Sequence, residues 1–241
     1  MRDLKEAALS VITEMLKEEI ITPADLLCYR SNEIDTDHPD EVRSQMEHWY
    51  KTLGVEQITG KPFHLTRPYF YKEEIREFRE RGELLCCLPK GLSAKDLSEL
   101  FHFHTWAESS ALVKQNPEEE DCWFFVKKST QPELLDRTGR EIQQVIKKQG
   151  DLNLTLERYL VLVASLYAFC GITTDEKYKT WLPNTKYEGR LMLIGGYDSA
   201  GQMSFHAWLP QFHSPYVGGR SIRICCLLYT SPSPRDRQKS R

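Results

Sequence analysis

The most apolar run of the chain, Leu160 to Cys170, is bracketed by Thr155, a hydroxyl residue suited to opening a helix, and Gly171, suited to closing one. It is about half the ~20 residues that a bilayer-spanning helix needs, so it reads as a buried core helix. A chain of 241 residues, 40% of them hydrophobic, can build a real core around it, in one large or two small domains. The amino end has no charged start followed by an apolar stretch and a small-residue cleavage site. Met1 to Ile20 reads instead as an amphipathic helix, and the expected setting is cytoplasmic with no membrane partner.

Periodicity organises the rest. Leu4, Ala7, Ala8, Val11, Ile12, Met15 and Leu16 recur at three- and four-residue spacing and predict a first helix to about Ile20. Thr22 and Pro23 open a short second helix, Ser31 to Asp37 is a loop, and a third helix with Val42, Met46, Trp49, Tyr50 and Leu53 inward stops at Gly54. From about Gly60, prolines bracket an aromatic extended stretch that leads into a charged helix, Lys72 to Arg81. Glu83 to Leu88, between Gly82 and Pro89, has the pattern of a buried strand. Ser93/Asp96 and Thr138/Glu141 are capping-box starts of two further helices, and Gly150 closes the second. Val113 and Cys122 to Val126 are predicted strands.

The strongest strand signal lies near the carboxy end. Met203, Phe205, Ala207 and Leu209 alternate with Gln202, Ser204, His206 and Trp208, and Asp198 to Gly201 forms a turn after the run Arg190 to Tyr197. These runs predict a β-hairpin, and a last strand, Arg220 to Ile224, is expected to pair with it. The fold class predicted is α+β: a helical N-terminal region (1–58), then an α+β domain (59–225) whose helices pack on a mostly antiparallel sheet that includes the hairpin.

Three pieces read together resemble a family of uncharacterised proteins from genomes of uncultured, candidate-phylum-type bacteria. They are Glu73 to Ser93 with its Pro89-Lys90-Gly91-Leu92-Ser93 turn, Trp123 to Pro132, and the glycine-rich hairpin ending in Gly218-Gly219-Arg220-Ser221. That resemblance implies a shared fold and carries over no functional residue. The Gly-Gly-Arg-Ser end is also similar to the last strand of C-type-lectin-like domains of bacterial formylglycine-generating type. The tryptophan-rich repeats usual before that strand are absent here, and the segment after Tyr187 is too short for that fold. Cys226 to Asp236 (CLLYTSPSPRD) resembles a translated sequencing adapter of the transposase-tagmentation type. One codon set for it spells the transposon mosaic end running into a read primer, and after an index the flow-cell sequence completes Lys239 and gives Ser240 and Arg241. The resemblance implies that 226–241 is a non-native, disordered tail and that the native chain is truncated near Ile224 or Cys225.

Removing the four basic residues and one acidic residue of that tail moves the formal charge from -3 to -6. Lys and Arg are scattered rather than clustered, so the balance argues against a nucleic-acid partner. Cys86 and Cys87 lie in an apolar run without CxxC spacing, the setting of reduced, buried thiols rather than of a disulfide frame or zinc knuckle. As nucleophiles Cys86 and Cys122 lack an electropositive, accessible setting. Glu118 to Asp121 lacks the alternating ligands of a calcium loop and reads as a solvated turn. Gly195-Gly196 and Gly218-Gly219 precede no helix that could meet an anion, and read as places of bulging or close strand approach.

Two constellations remain. His102-Phe103-His104, read as an extended segment, puts both imidazoles on one face as candidate metal ligands. His206, Trp208, Phe212, His213 and Tyr216, in and after the last hairpin strand, are the residue types of a binding surface if exposed, and core if the Leu156 to Cys170 helix covers them. The functional expectation is a non-enzymatic binding or accessory module that recognises a protein or small ligand through these five residues, with no cofactor. The alternatives are a metal-assisted hydrolase built on His102 and His104, and a weakly DNA-associated regulator built on the short helices of Thr22 to Leu53.

Overall fold

The computed structural model describes residues 36–103, 105–114, 117–185 and 187–224, together with Ser10, Thr13, Glu14, Lys17, Glu18 and Ile34. The helix predicted near Thr22 and the tail 226–241 lie outside the described residues. Of the first predicted helix, Ser10, Thr13, Glu14 and Lys17 are helical and exposed, the polar spacing opposite the stripe read from the sequence.

The described residues form an α+β fold of six helices and two four-stranded sheets. In chain order the elements are α1 (Pro39–Thr52), α2 (Val55–Thr59), α3 (Lys72–Glu80), β1 (Glu83–Leu88), α4 (Ala94–Leu100), β2 (Cys122–Lys127), α5 (Gly139–Gln149), β3 (Leu152–Asn153), α6 (Leu156–Cys170), β4 (Lys179–Leu182), β5 (Met192–Tyr197), β6 (Met203–Trp208), β7 (Val217–Gly218) and β8 (Ser221–Ile224). The first sheet, β1-β2-β8-β3, is antiparallel; the second, β6-β5-β4-β7, is mixed, because β7 runs parallel to β4.

Helix α6 lies at the centre. Thr155 Oγ1 accepts from the Arg158 amide, Gly171 ends the helix in the left-handed region, and eleven of its fifteen residues are buried. It packs on β1 of the first sheet, while Tyr159 meets Phe205 of the second edge-on at 6.0 Å. The apolar circumference of this helix is thus used on both sides. Both capping boxes form as the sequence dictates, with Ser93 and Thr138 accepting from Asp96 N and Glu141 N. Side chains from before and after residue 58 share one core. Trp49 and Tyr50 of α1 pack with Phe101 and Phe169, and the Tyr50 hydroxyl donates to the Cys87 carbonyl at 2.7 Å.

Two strand expectations are corrected. Val113 makes only an isolated bridge to Tyr187. The last strand does not join the hairpin: Ser221–Ile224 pairs with β2 and β3 of the other sheet. The chain leaves β7 in one sheet and enters β8 in the other across Gly219 and Arg220 alone. That crossing needs close approach, and the two glycines permit it. A Cβ on Gly219 would lie 2.4 Å from Ile142 Cγ2, and one on Gly218 2.8 Å from the Leu134 carbonyl oxygen. The loop before α5 fastens the crossing, with Leu134 and Gly219 exchanging amide-to-carbonyl bonds at 3.2 and 3.1 Å.

Candidate functional site

The predicted hairpin forms, paired from Met192↔Trp208 to Tyr197↔Met203. Its turn is tied by Asp198, whose Oδ1 accepts from the Ala200 and Gln202 amides at 2.9 Å each, and Gly201 takes the left-handed conformation that lets the strands close. Strand alternation then splits the side chains. Leu193, Met203 and Phe205 face α6 and belong to the main core. On the opposite face Trp181, Met192, Ile194 and Val217 pack with Ile142 and Ile146 of α5 as a second, smaller cluster.

The five predicted residues lie at the border of this second cluster and solvent. Trp208 is half-buried on it, 6.4 Å from the Trp181 ring. Phe212 meets Trp208 edge-on at 4.3 Å and stays 44% exposed, and Tyr216 is 64% exposed. The 209–216 loop is held against the start of α5: the Arg140 amide donates to the Pro210 carbonyl at 3.2 Å, and His213 Nε2 lies 3.1 Å from Asp136 Oδ1. At its far end the Lys179 amide donates to the Tyr216 carbonyl, and the Tyr178 and Tyr216 rings lie 6.4 Å apart. The structure therefore brings His206, Trp208 and Phe212 into ring contact, while His213 of the same loop turns to Asp136 and Tyr216 to Tyr178; we term the hairpin strand and this loop the ledge. Among the described residues, three of the eight exposed large hydrophobic side chains, Leu209, Phe212 and Tyr216, fall in this single loop.

Two titratable groups at the outer hairpin face are shifted from their ordinary values. Lys179 donates from Nζ to the Tyr197 carbonyl and Ser204 Oγ at 2.7 and 3.0 Å, and its burial lowers its pKa. His206 is also held below its ordinary value, first by partial burial and then by the Lys179 ammonium. Its imidazole is accordingly neutral at neutral pH.

The metal reading loses its geometric premise. His102 is not extended: it follows α4 with φ 57°, its amide donating to the Glu99 carbonyl while that of Phe103 donates to Ser98. This is a Schellman closure with histidine at the position glycine usually takes. His104 lies outside the described residues, and among the described residues no group of three or more His, Cys, Asp or Glu side chains is placed to hold a metal ion. Cys86 and Cys87 are fully buried, and burial pushes their thiols up; that of Cys122 is raised to about 11. The acidic run is the expected solvated turn only at Glu119 and Glu120, which are exposed in a bend. Asp121 is buried, with Oδ2 accepting from the Thr66 amide and hydroxyl and Oδ1 from the Lys90 amide, and Glu118 Oε1 takes both Nε and Nη2 of Arg158.

Sequence reasoning missed the polar cluster beneath the crossing. Asp175 is fully buried: its Oδ2 accepts from the Tyr159 hydroxyl at 2.9 Å and the Thr180 hydroxyl at 2.7 Å, and its Oδ1 from Arg220 Nη2 at 2.7 Å. Arg220 Nη2 also reaches the Ser129 carbonyl and the Thr174 hydroxyl. Burial pushes the Tyr159 phenol well up, with the Asp175 carboxylate adding to it. This cluster ties α6, β4 and the crossing together. The arginine of Gly218-Gly219-Arg220-Ser221 was the one signal that could have found it.

No protein-family model matches the chain, and neither a curated protein nor a solved structure is similar to it.

Proposed function

We propose that the chain is a non-enzymatic binding or accessory module that engages a partner protein through the ledge of His206, Trp208, Phe212, His213 and Tyr216. The observation that carries this reading is the concentration of exposed apolar side chains in residues 209–216, backed by a rigid sheet and helix rather than by a free loop. Contiguous exposed aromatic surface is costly to leave in water and marks interaction sites. Large side chains with few torsions give contact area at low entropic cost.

The test is affinity capture from source-cell lysate with three baits: the wild type, Phe212→Ala/Tyr216→Ala, and Tyr71→Ala, which removes an aromatic that is 75% exposed away from the ledge. A partner held by the first and third baits and lost from the second is the expected result. Equal recovery on all three contradicts the reading.

A further inference from the structure

A cleft of about 450 Å³ opens on the other side of the hairpin, between its tip, the end of α4, α1 and the second half of α6. Its shape follows from residue size. Ala164 and Ala168, one helical turn apart on α6, leave a slot that larger side chains would have filled. The walls are aromatic: Trp49 and Phe101 stack at 5.6 Å with 17° between their planes, and Tyr167 stands beside the alanines. Met203 from the hairpin closes one end.

The polar groups gather at the rim: His102, Thr173, Tyr197 and Gln202 line the cleft, and no described Asp, Glu, Lys or Arg side chain does. Burial, with the Asp175 carboxylate, holds the Tyr197 phenol up at about 12, so it stays neutral and can donate. His102 is brought to the rim by its left-handed backbone, a conformation uncommon outside glycine.

We propose that this cleft binds a flat, uncharged, largely aromatic small molecule, oriented by hydrogen bonds to Gln202, Thr173 and Tyr197. The volume falls in the range of about 300 to 1,000 Å³ that small-molecule sites occupy, and a mostly apolar lining with a few convergent polar groups is their usual composition. Charge selects among ligands. An ionised molecule entering the slot would lose water and meet no counter-charge, which is strongly unfavourable. A planar ring system instead gains apolar contact with Tyr167, the two alanines and the edges of Trp49 and Phe101 while its own edge reaches the rim.

The experiment is a titration of the full chain with N-phenyl-1-naphthylamine, a neutral fluorophore made of two flat aromatic ring systems. One saturable site is expected, at least tenfold weaker in Ala168→Phe, whose half-buried position lets the new ring fill the slot without entering the core, and unchanged in Trp208→Ala on the ledge. Amide chemical-shift changes in the wild type are expected at Thr173 and Gln202 and not at Phe212 or Tyr216, a readout independent of how any variant folds. Non-saturable binding, binding unaltered by Ala168→Phe, or shifts centred on the ledge would overturn the proposal.

Discussion

Arg220 Nη2 lies 2.7 Å from Asp175 Oδ1, with 2% and 0% of the two side chains exposed, at the point where the chain passes from one sheet to the other. Both charges have left water, and each is satisfied by more than its partner: the carboxylate by two hydroxyls, the guanidinium by a carbonyl and a threonine. Such a pair adds little over an apolar substitute, but half of it is very costly. Arg220→Met and Asp175→Asn are each expected to destabilise the fold by about 3–5 kcal/mol. The double variant should lose less than the sum of the two, as a double-mutant cycle in guanidinium chloride would show. Asparagine tolerates the φ of 62° at position 175, so the cycle isolates charge from backbone strain.

Gly219 is needed for space alone, since its φ is not in the left-handed region. An added methyl would meet Ile142 Cγ2 at 2.4 Å, a packed core side chain. Gly219→Ala should cost roughly 1–3 kcal/mol by overpacking. Thermal unfolding should show a lowered Tm, whereas Gln202→Ala at the exposed hairpin tip should leave it near the wild-type value.

His102 closes α4 in a conformation that disfavours a Cβ. His102→Gly is therefore expected to stabilise the protein by about 1 kcal/mol, measured by urea unfolding. A loss of stability would mean that the imidazole holds a contact worth more than the backbone strain.

Glu47 gives the fold a pH dependence. Partial burial pushes its carboxyl up, but the Lys51 ammonium at 2.8 Å, the Leu65 amide at 3.1 Å and His64 at 3.2 Å outweigh it and hold the group at about 2, below its ordinary 4.5. Because the folded value is depressed, its contribution is fully present above pH 4.5 and is lost as the pH falls from there towards 2. Urea unfolding at pH 6 and pH 3 should show a drop that is smaller in Glu47→Gln.

The signals legible in the sequence are those that act within a few residues. Ser93 and Asp96, Thr138 and Glu141, and Thr155 with Gly171 each declare a helix end through a backbone group nearby, and each forms. The alternation from Met203 to Trp208 declares a strand with two faces, and the structure buries Met203 and Phe205 on one while leaving His206 exposed on the other. What was not legible depends on distant parts of the chain. Nothing near Ser221 to Ile224 indicates that Phe124 rather than the hairpin is its neighbour, and Asp175 stands 45 residues from the arginine that neutralises it. Strand β4 is four residues long and carries the buried Thr180, so it offers too little pattern to be seen. Residue type placed Trp208, Phe212 and Tyr216 on one list, but only the packing of α5 distinguishes the half-buried Trp208 from the exposed other two.

The ledge is tested most directly by placing the photocrosslinker p-benzoylphenylalanine singly at positions 212, 216 and 71 and irradiating the full chain in source-cell lysate. The account predicts one discrete adduct of the same mass increment at 212 and 216 and none at 71, although Tyr71 is the more exposed aromatic. The same adducts at all three positions, or none at 212 and 216, would contradict it.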